Sequence, residues 1–417
     1  MLHGGSALAY MLQRAPGIMV LFGVCYMSEA SPRFDTAYRH LIWKTLALFL
    51  SYLAVAMSLP VLPVYVTQQL HYGNVPAGLA VGITFLATIL TRSQAGALTD
   101  RIGGKHSMRR GLVIYTIASL VCWVSAWQGF PVPFSYGLLI IGRLLLGWGE
   151  SLALVGMLGW SIEQMGPARA GRVIALSGMA IYGAFAVGSP LGLAIFQYFG
   201  FAGLMLVCAA LPLLGLAMIK DMPEGALQNG VRESFWRILG RIWRPGLTVG
   251  LQGVGFAALG AFITLHFINQ DWAYGSLGLT LFGTGFVSMR LFCGHLPDKI
   301  GGSRVAIVSL AIEATGQFLL WSASEPAWAL LGALLTGIGC SMIFPSMGME
   351  VVKRVPPQLR GTAVGGFAAF QDIAYGLTGP VAGLFADHYG YASVFLVGGI
   401  AAVMGIGTAI LTGREKT

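Results

Sequence analysis

The chain has 417 residues, enough for two or three soluble domains, yet 56% of them are hydrophobic and only 10% are charged, where a soluble chain carries about 25% charged residues. That balance excludes an ordinary soluble enzyme, and the 59 glycines, scattered through apolar runs, fit helices packed closely in lipid and exclude low-complexity disorder. A net charge of +9 would invite nucleic acid in a soluble protein, so the location of the basic residues decides its meaning.

Residues 1–38 come first and fit least well. The apolar stretch from Gly17 to Met27 is too short to span a bilayer and resembles a signal-peptide core. Cleavage there would start the mature chain on the outer side, against the basic-residue pattern below. We therefore read Met27 as the biological start and residues 1–38 as an N-terminal extension, with an interfacial segment as the alternative.

A membrane helix needs about 20 mainly apolar residues. Cutting the chain at charges, Pro and Gly predicts twelve spans: 41–66, 75–98, 111–129, 135–160, 173–196, 201–219, 246–267, 276–296, 305–323, 328–350, 362–386 and 391–412. This makes an N-terminal six-helix bundle at 39–219, a charged linker at 220–245, a C-terminal six-helix bundle at 246–412 and a short tail at 413–417.

The basic residues test the cut, because short cytoplasmic loops collect Lys and Arg. Of the 25, 22 fall on one face, from Arg14, Arg33, Arg39 and Lys44 through the even-numbered turns to Arg414 and Lys416. The six opposite turns contain none. Both termini are expected in the cytoplasm, and a nucleic-acid role loses its support.

The halves repeat one pattern. At an offset of 198, Arg92, Gly96, Asp100, Arg101 and Gly103 meet Arg290, Gly294, Asp298, Lys299 and Gly301. Later the offset becomes 190, aligning Glu150 with Cys340, Tyr182 with Asp372, and Gly200 with Gly390. Repeated halves with a site between them at mid-membrane are the architecture expected of a secondary transporter.

On these residues the sequence resembles the major facilitator superfamily over about residues 40–412. The hallmark loop after the second span appears as Gly96, Asp100, Arg101, Gly103, Lys105 and Arg109, with a weaker second copy after the eighth. A fourth-span motif matches Arg143, Gly147 and Gly149; in proton-driven members that Arg is associated with proton transfer. An antiporter motif is approximated by Gly183, Gly188, Pro190 and Gly192. The resemblance implies an all-α polytopic membrane protein, twelve transmembrane helices in two pseudo-symmetric bundles. It looks most like bacterial inner-membrane effluxers of the arabinose-efflux-permease type.

Ionisable residues within the spans are costly, and mark paired structural or functional sites. Six stand out: Arg92, Arg143, Arg290, Glu150, Glu313 and Asp372. Arg92 and Arg290 occupy equivalent places, which argues for a gate or latch between bundles, with Asp100, Arg101, Asp298 and Lys299 as its neighbours. Glu150 and Asp372 lie close to the midplane without acidic counterparts in the other half, so with Arg143 they are the candidate proton-coupling residues; a permanent, non-titrating ion pair is the alternative. Arg143 and Glu150, seven apart, are separated by about 10 Å along the helix, which makes direct contact doubtful. Tyr52 and Trp148, on spans that the resemblance puts at the cavity, and Tyr182 are the aromatic candidates for substrate contact, packing being the alternative. Glu313 is expected on the outer scaffold, while Glu163 and Glu350 are expected to neutralise basic loops. His266 reads as a packing residue.

Other chemistry is missing from the sequence. Gly104 and Lys105 are followed by His106, with Thr99 where an ATP-binding loop needs its first Gly. The Gly-x-Gly pairs lie inside apolar helices, not after strands. The five cysteines stand alone, without disulfide or zinc spacing, and no cofactor or metal is expected. The expectation is a monomeric, proton-coupled transporter of a small organic molecule, an exporter in preference to an importer of a sugar or metabolite. A non-transporting membrane sensor is the rival of a different class.

Overall fold

The computed structural model describes residues 32–166, 169–224, 235–355 and 360–414. Met27, Arg14 and the rest of 1–31 lie outside the described residues. The long helices are α1 (Pro32–Ser58), continued by the short turns Val61–Val64 and Tyr65–Gln69, α2 (Asn74–Ile102), α3 (Gly104–Ser125), α4 (Val132–Met165), then Ala170–Ile219, followed by α7 (Phe235–Asn269), α8 (Leu277–Cys293), α9 (Gly302–Ser322), α10 (Pro326–Lys353), α11 (Arg360–Tyr389) and α12 (Ala392–Arg414). The segment Ala170–Ile219 has 50 residues, about 75 Å of helix and twice what a bilayer accommodates. It breaks at Gly200, whose φ is +66°; the arms before and after it are α5 and α6. Helix α7 starts at Phe235 and runs through Pro245, ahead of position 246.

Eight helical stretches among the described residues are long and apolar enough to cross a membrane. One of them is the α5–α6 pair. Helices α3, α8 and α11 complete the set of twelve; α3 is diluted by Arg109 and Arg110, α8 has only 17 residues, and α11 carries Gln371, Asp372 and Asp387.

The sequence repeat becomes a structural one at the turns. Gly103 and Gly301 end α2 and the short helix Leu296–Ile300 after α8 with φ of +85° and +92°, and Gly200 and Gly390 have φ of +66° and +79°. Residues with a Cβ rarely adopt this left-handed backbone, so glycine recurs where each bundle turns a corner.

Within each half the helices pack backbone to backbone. A Cβ on Gly149 would press on Gly111 and Tyr115 of α3, and one on Gly339 would press on Ser309 and Glu313 of α9. These contacts obey the same offsets, 190 and 198, as the sequence. The outer surface is apolar, with Leu90, Ile117, Phe134, Val308 and Met404 exposed, as lipid contact requires.

Candidate transport site between the bundles

Two helix pairs join the bundles. In the first, α2 crosses α11 so closely that a Cβ on Gly78 would overlap the Gly379 carbonyl and one on Gly82 the Gly376 carbonyl. Its far end is clasped by Asn74 Nδ2, donating to Asp387 Oδ1 at 2.7 Å, and by the Tyr391 hydroxyl, donating to Asn74 Oδ1 at 3.0 Å. In the second pair, Gly283 of α8 lies against the Ala186 backbone of α5, and Ser189 Oγ donates to the Ser276 carbonyl at 3.1 Å.

Both pairs meet in the half of the molecule away from the basic loops and part toward them. Further toward the basic face, Gly96 on α2 and Gly183 and Gly178 on α5 have no atom within 4 Å of a would-be Cβ. The bundles are thus closed on one face and separated on the basic face.

An aromatic layer closes the gap where the pairs part. The Tyr182 ring stacks on Phe286 with centroids 3.7 Å apart, and its hydroxyl is 3.3 Å from that of Tyr375. Phe256 packs 5.0 Å from both Phe282 and Tyr375, and Phe85 packs 5.1 Å from Tyr375. Sequence reading selected Tyr182 from this group and missed Phe85, Phe282, Phe286 and Tyr375. Aromatic residues in apolar helices are too common for composition to single these out.

The charged residues lie around this layer. Arg92 Nη2 and Asp372 Oδ2 form an ion pair at 2.7 Å between α2 and α11, with side chains 21% and 13% exposed. Glu150 on α4 accepts a hydrogen bond from the Tyr52 hydroxyl at 2.9 Å, and its second oxygen is buried without a partner. It lies within electrostatic reach of both Arg92 and Asp372. Arg143 donates from Nε to the Ala80 carbonyl at 3.1 Å and from Nη1 to Ser58 Oγ at 3.4 Å. It has no hydrogen bond to Glu150, as the seven-residue spacing leads one to expect. Its buried guanidinium borders a cavity of about 10 Å³ with Cys122, Cys208 and Ser119, close to the room that one water needs.

Several sequence expectations are corrected. Arg92 and Arg290 occupy equivalent places but do not share a role: Arg92 has an acidic partner, whereas Arg290 donates from Nη2 to the Ser341 carbonyl at 2.6 Å and lies 5.2 Å from the Phe286 ring centre. Trp148 does not face the cavity. Two helix positions from Glu150 place it about 200° around α4, on an exposed stripe with Ile141 and Leu144, away from α1. Tyr52 is buried, its hydroxyl committed to Glu150. Glu313 belongs to the scaffold helix α9 but does not lie on its outer side: it is 0% exposed and points inward to Gly255 of α7. Neither oxygen has a hydrogen-bond partner among the described residues beyond the weak thiol of Cys340. A peripheral helix still has an inner face, and Glu313 is on it.

Asp100, Arg101, Asp298 and Lys299 sit exposed on the basic face. Glu350 pairs with Lys353 at 3.0 Å and Arg354 at 3.2 Å, neutralising its loop. His266 is buried between Trp272 and Phe395, with both ring nitrogens unbonded. Sequence reading also missed Gln371, whose Nε2 donates to Gln252 Oε1 at 3.1 Å between α11 and α7.

Two repeated helical bundles, with paired and unpaired charges at their junction, define a polytopic membrane protein of the transporter type. The sequence model of the Major Facilitator Superfamily matches residues 45–270 and again 245–417. An uncharacterized MFS-type transporter of Salmonella typhimurium is 44% identical over 370 residues, covering 88% of this chain and 95% of its own. Another from Burkholderia mallei is 39% identical over 359 residues, covering 86% and 88%. The chain belongs to the major facilitator superfamily. Among solved structures, the nucleoside transporter NupG (D323A mutant) superposes with a TM-score of 0.73 at 14% identity, covering 90% of this chain and all of that one. A bacterial homolog of the human lysosomal transporter Spinster gives 0.73 at 14% identity, with coverage of 93% and 98%. The protein is a transporter and not an enzyme.

Proposed function

We propose that this transporter is a proton-coupled exporter of a small organic molecule, acting as a monomer in a bacterial inner membrane with both termini in the cytoplasm. The observation that carries the coupling is the Arg92–Asp372 ion pair, which ties the bundles together where α2 and α11 begin to part. At 2.7 Å and an effective dielectric of about 20, its gross Coulomb attraction is roughly 6 kcal/mol before desolvation. Desolvation and partial exposure of both groups leave roughly 1–3 kcal/mol of it, enough to bias a two-state equilibrium about 5- to 150-fold.

A proton on Asp372 removes the attraction and releases α2 from α11. Glu150, held by Tyr52 and within reach of the pair, is the second proton carrier, and Arg143 positions the α1, α2 and α4 backbones around it. The excess of basic residues assigns the open face to the cytoplasm. The described form is then inward-open, and alternating access follows when the α2–α11 and α5–α8 contacts separate. The resemblance of Gly183, Gly188, Pro190 and Gly192 on α5 to an antiporter motif favours export.

The test is flux in liposomes loaded with a pH dye, with a substrate panel and an imposed proton gradient. Asp372→Asn is expected to abolish gradient-driven accumulation while leaving substrate exchange without a gradient. Normal proton-linked flux in that variant would overturn the proposal.

A further inference from the structure

The two halves match in sequence and in backbone, so a place where their side-chain chemistry departs from symmetry stands out. At the offsets of 198 and 190, the pair Arg92–Asp372 has a mate, Arg290–Tyr182. The structure brings both pairs together across the bundle interface, one between α2 and α11, the other between α8 and α5. In the first pair the guanidinium meets a carboxylate at 2.7 Å. In the second the carboxylate position holds Tyr182, stacked on Phe286, with Arg290 one turn further along α8 and 5.2 Å from the same ring. One of two equivalent cations has lost its counter-ion.

Arg290 is only partly satisfied. Nη2 reaches the Ser341 carbonyl, but Nε is buried without a partner, and no carboxylate lies within ion-pair distance among the described residues. Asp372 is engaged by Arg92, Glu150 belongs to the other bundle with Tyr52, and Glu313 faces α7 in the closed interior. The Arg290 side chain is not sealed in: it is partly exposed, below the aromatic layer, where α5 and α8 part. A cation in such a place is costly without a partner.

We infer that Arg290 is the anion-binding residue of the substrate site, and that the transported molecule is an organic carboxylate whose charge occupies the place Asp372 holds in the other half. The planar guanidinium matches a carboxylate with two parallel hydrogen bonds, which an ammonium or a hydroxyl cannot do. Beside it Tyr182 keeps part of its surface open over the buried Phe286 and Tyr375 rings, an apolar patch with one polar edge that suits an aromatic or short aliphatic body. A cationic substrate is repelled here, and a neutral one leaves the charge uncompensated. This inference rests on the reading of the cleft between the bundles as the substrate path, and not on proton coupling.

The experiment is therefore done without a gradient. The purified protein in detergent is titrated with benzoate, hexanoate, and their neutral isosteres benzamide and hexanamide, with thermal unfolding and Tyr and Trp fluorescence as readouts. The carboxylates are expected to protect the fold and to bind at least tenfold more tightly than the amides. Arg290→Gln should weaken carboxylate binding tenfold or more, and Arg290→Lys should keep the charge and part of the affinity. Tyr182→Asp supplies the missing counter-ion within the chain, so it should remove carboxylate binding while preserving or raising thermal stability. Equal protection by amides and carboxylates, no protection by either carboxylate, or unchanged binding in a folded Arg290→Gln or Tyr182→Asp protein overturns the inference. Carboxylate binding in a protein whose flux ignores the proton gradient would refute the coupling alone.

Discussion

The closed face rests on glycines, and replacing them tests whether the described contacts hold the protein in one conformation. A methyl at Gly78 or Gly82 would overlap the carbonyls of Gly379 and Gly376. Those are backbone atoms of a helix and cannot rotate away, so α11 must move back from α2. Overpacking of this kind costs about 1–3 kcal/mol, and at about 1.4 kcal/mol per tenfold change a single Gly→Ala substitution shifts the equilibrium roughly 5- to 150-fold toward the form open on this face. Because one separation relieves both overlaps, Gly78→Ala and Gly82→Ala together should give little more than the larger single effect. The assay is labelling of a reporter, Gly178→Cys, where α5 and α8 part, in a chain with its other cysteines replaced. An impermeant maleimide added from the basic face should label more slowly by a similar factor once the glycines are substituted. Gly407→Ala is the control, since nothing lies within 4 Å of a Cβ there. Unchanged labelling in folded Gly78→Ala and Gly82→Ala proteins would refute the argument that this contact holds the face shut.

Asp372→Asn leaves Arg92 without its counter-ion, and with both groups partly exposed the loss should be roughly 1–3 kcal/mol, below the range for a fully buried pair; thermal unfolding reads it, and adding Arg92→Gln should restore part of the stability without restoring coupling. Asn74→Ala removes both clasp hydrogen bonds on the closed face, each worth about 0.5–1.5 kcal/mol, and should slow Gly178→Cys labelling in the same direction as the glycine substitutions. Glu313→Gln should leave thermal stability unchanged or raised, because the carboxylate has no strong partner to lose; a marked fall in melting temperature would show that Glu313 is held by an interaction of real strength.

The charges were the most legible part of the site. Arg92, Arg143, Glu150, Arg290, Glu313 and Asp372 stand out in any reading because ionised groups are rare in apolar spans. Their partners did not stand out. Arg92 and Asp372 are separated by most of the chain, and only the close crossing of α2 and α11 brings them to 2.7 Å. The direction in which side chains point was equally hidden, as Trp148 and Glu313 show. In water an amphipathic stripe reveals the inner face of a helix, but in lipid the outer face is as apolar as the core, and the periodic signal fades.

By itself the sequence determined the twelve crossings, their orientation relative to the basic face and the duplication, because bilayer thickness sets span length and backbone turns at Gly103, Gly200, Gly301 and Gly390 require glycine. Tertiary structure alone decided which charges are compensated: it joined Arg92 to Asp372 and left Arg290 beside Tyr182. The physical reason is distance. Hydrophobic length and turn chemistry act within a few residues, whereas an ion pair between bundles exists only after the two halves have docked.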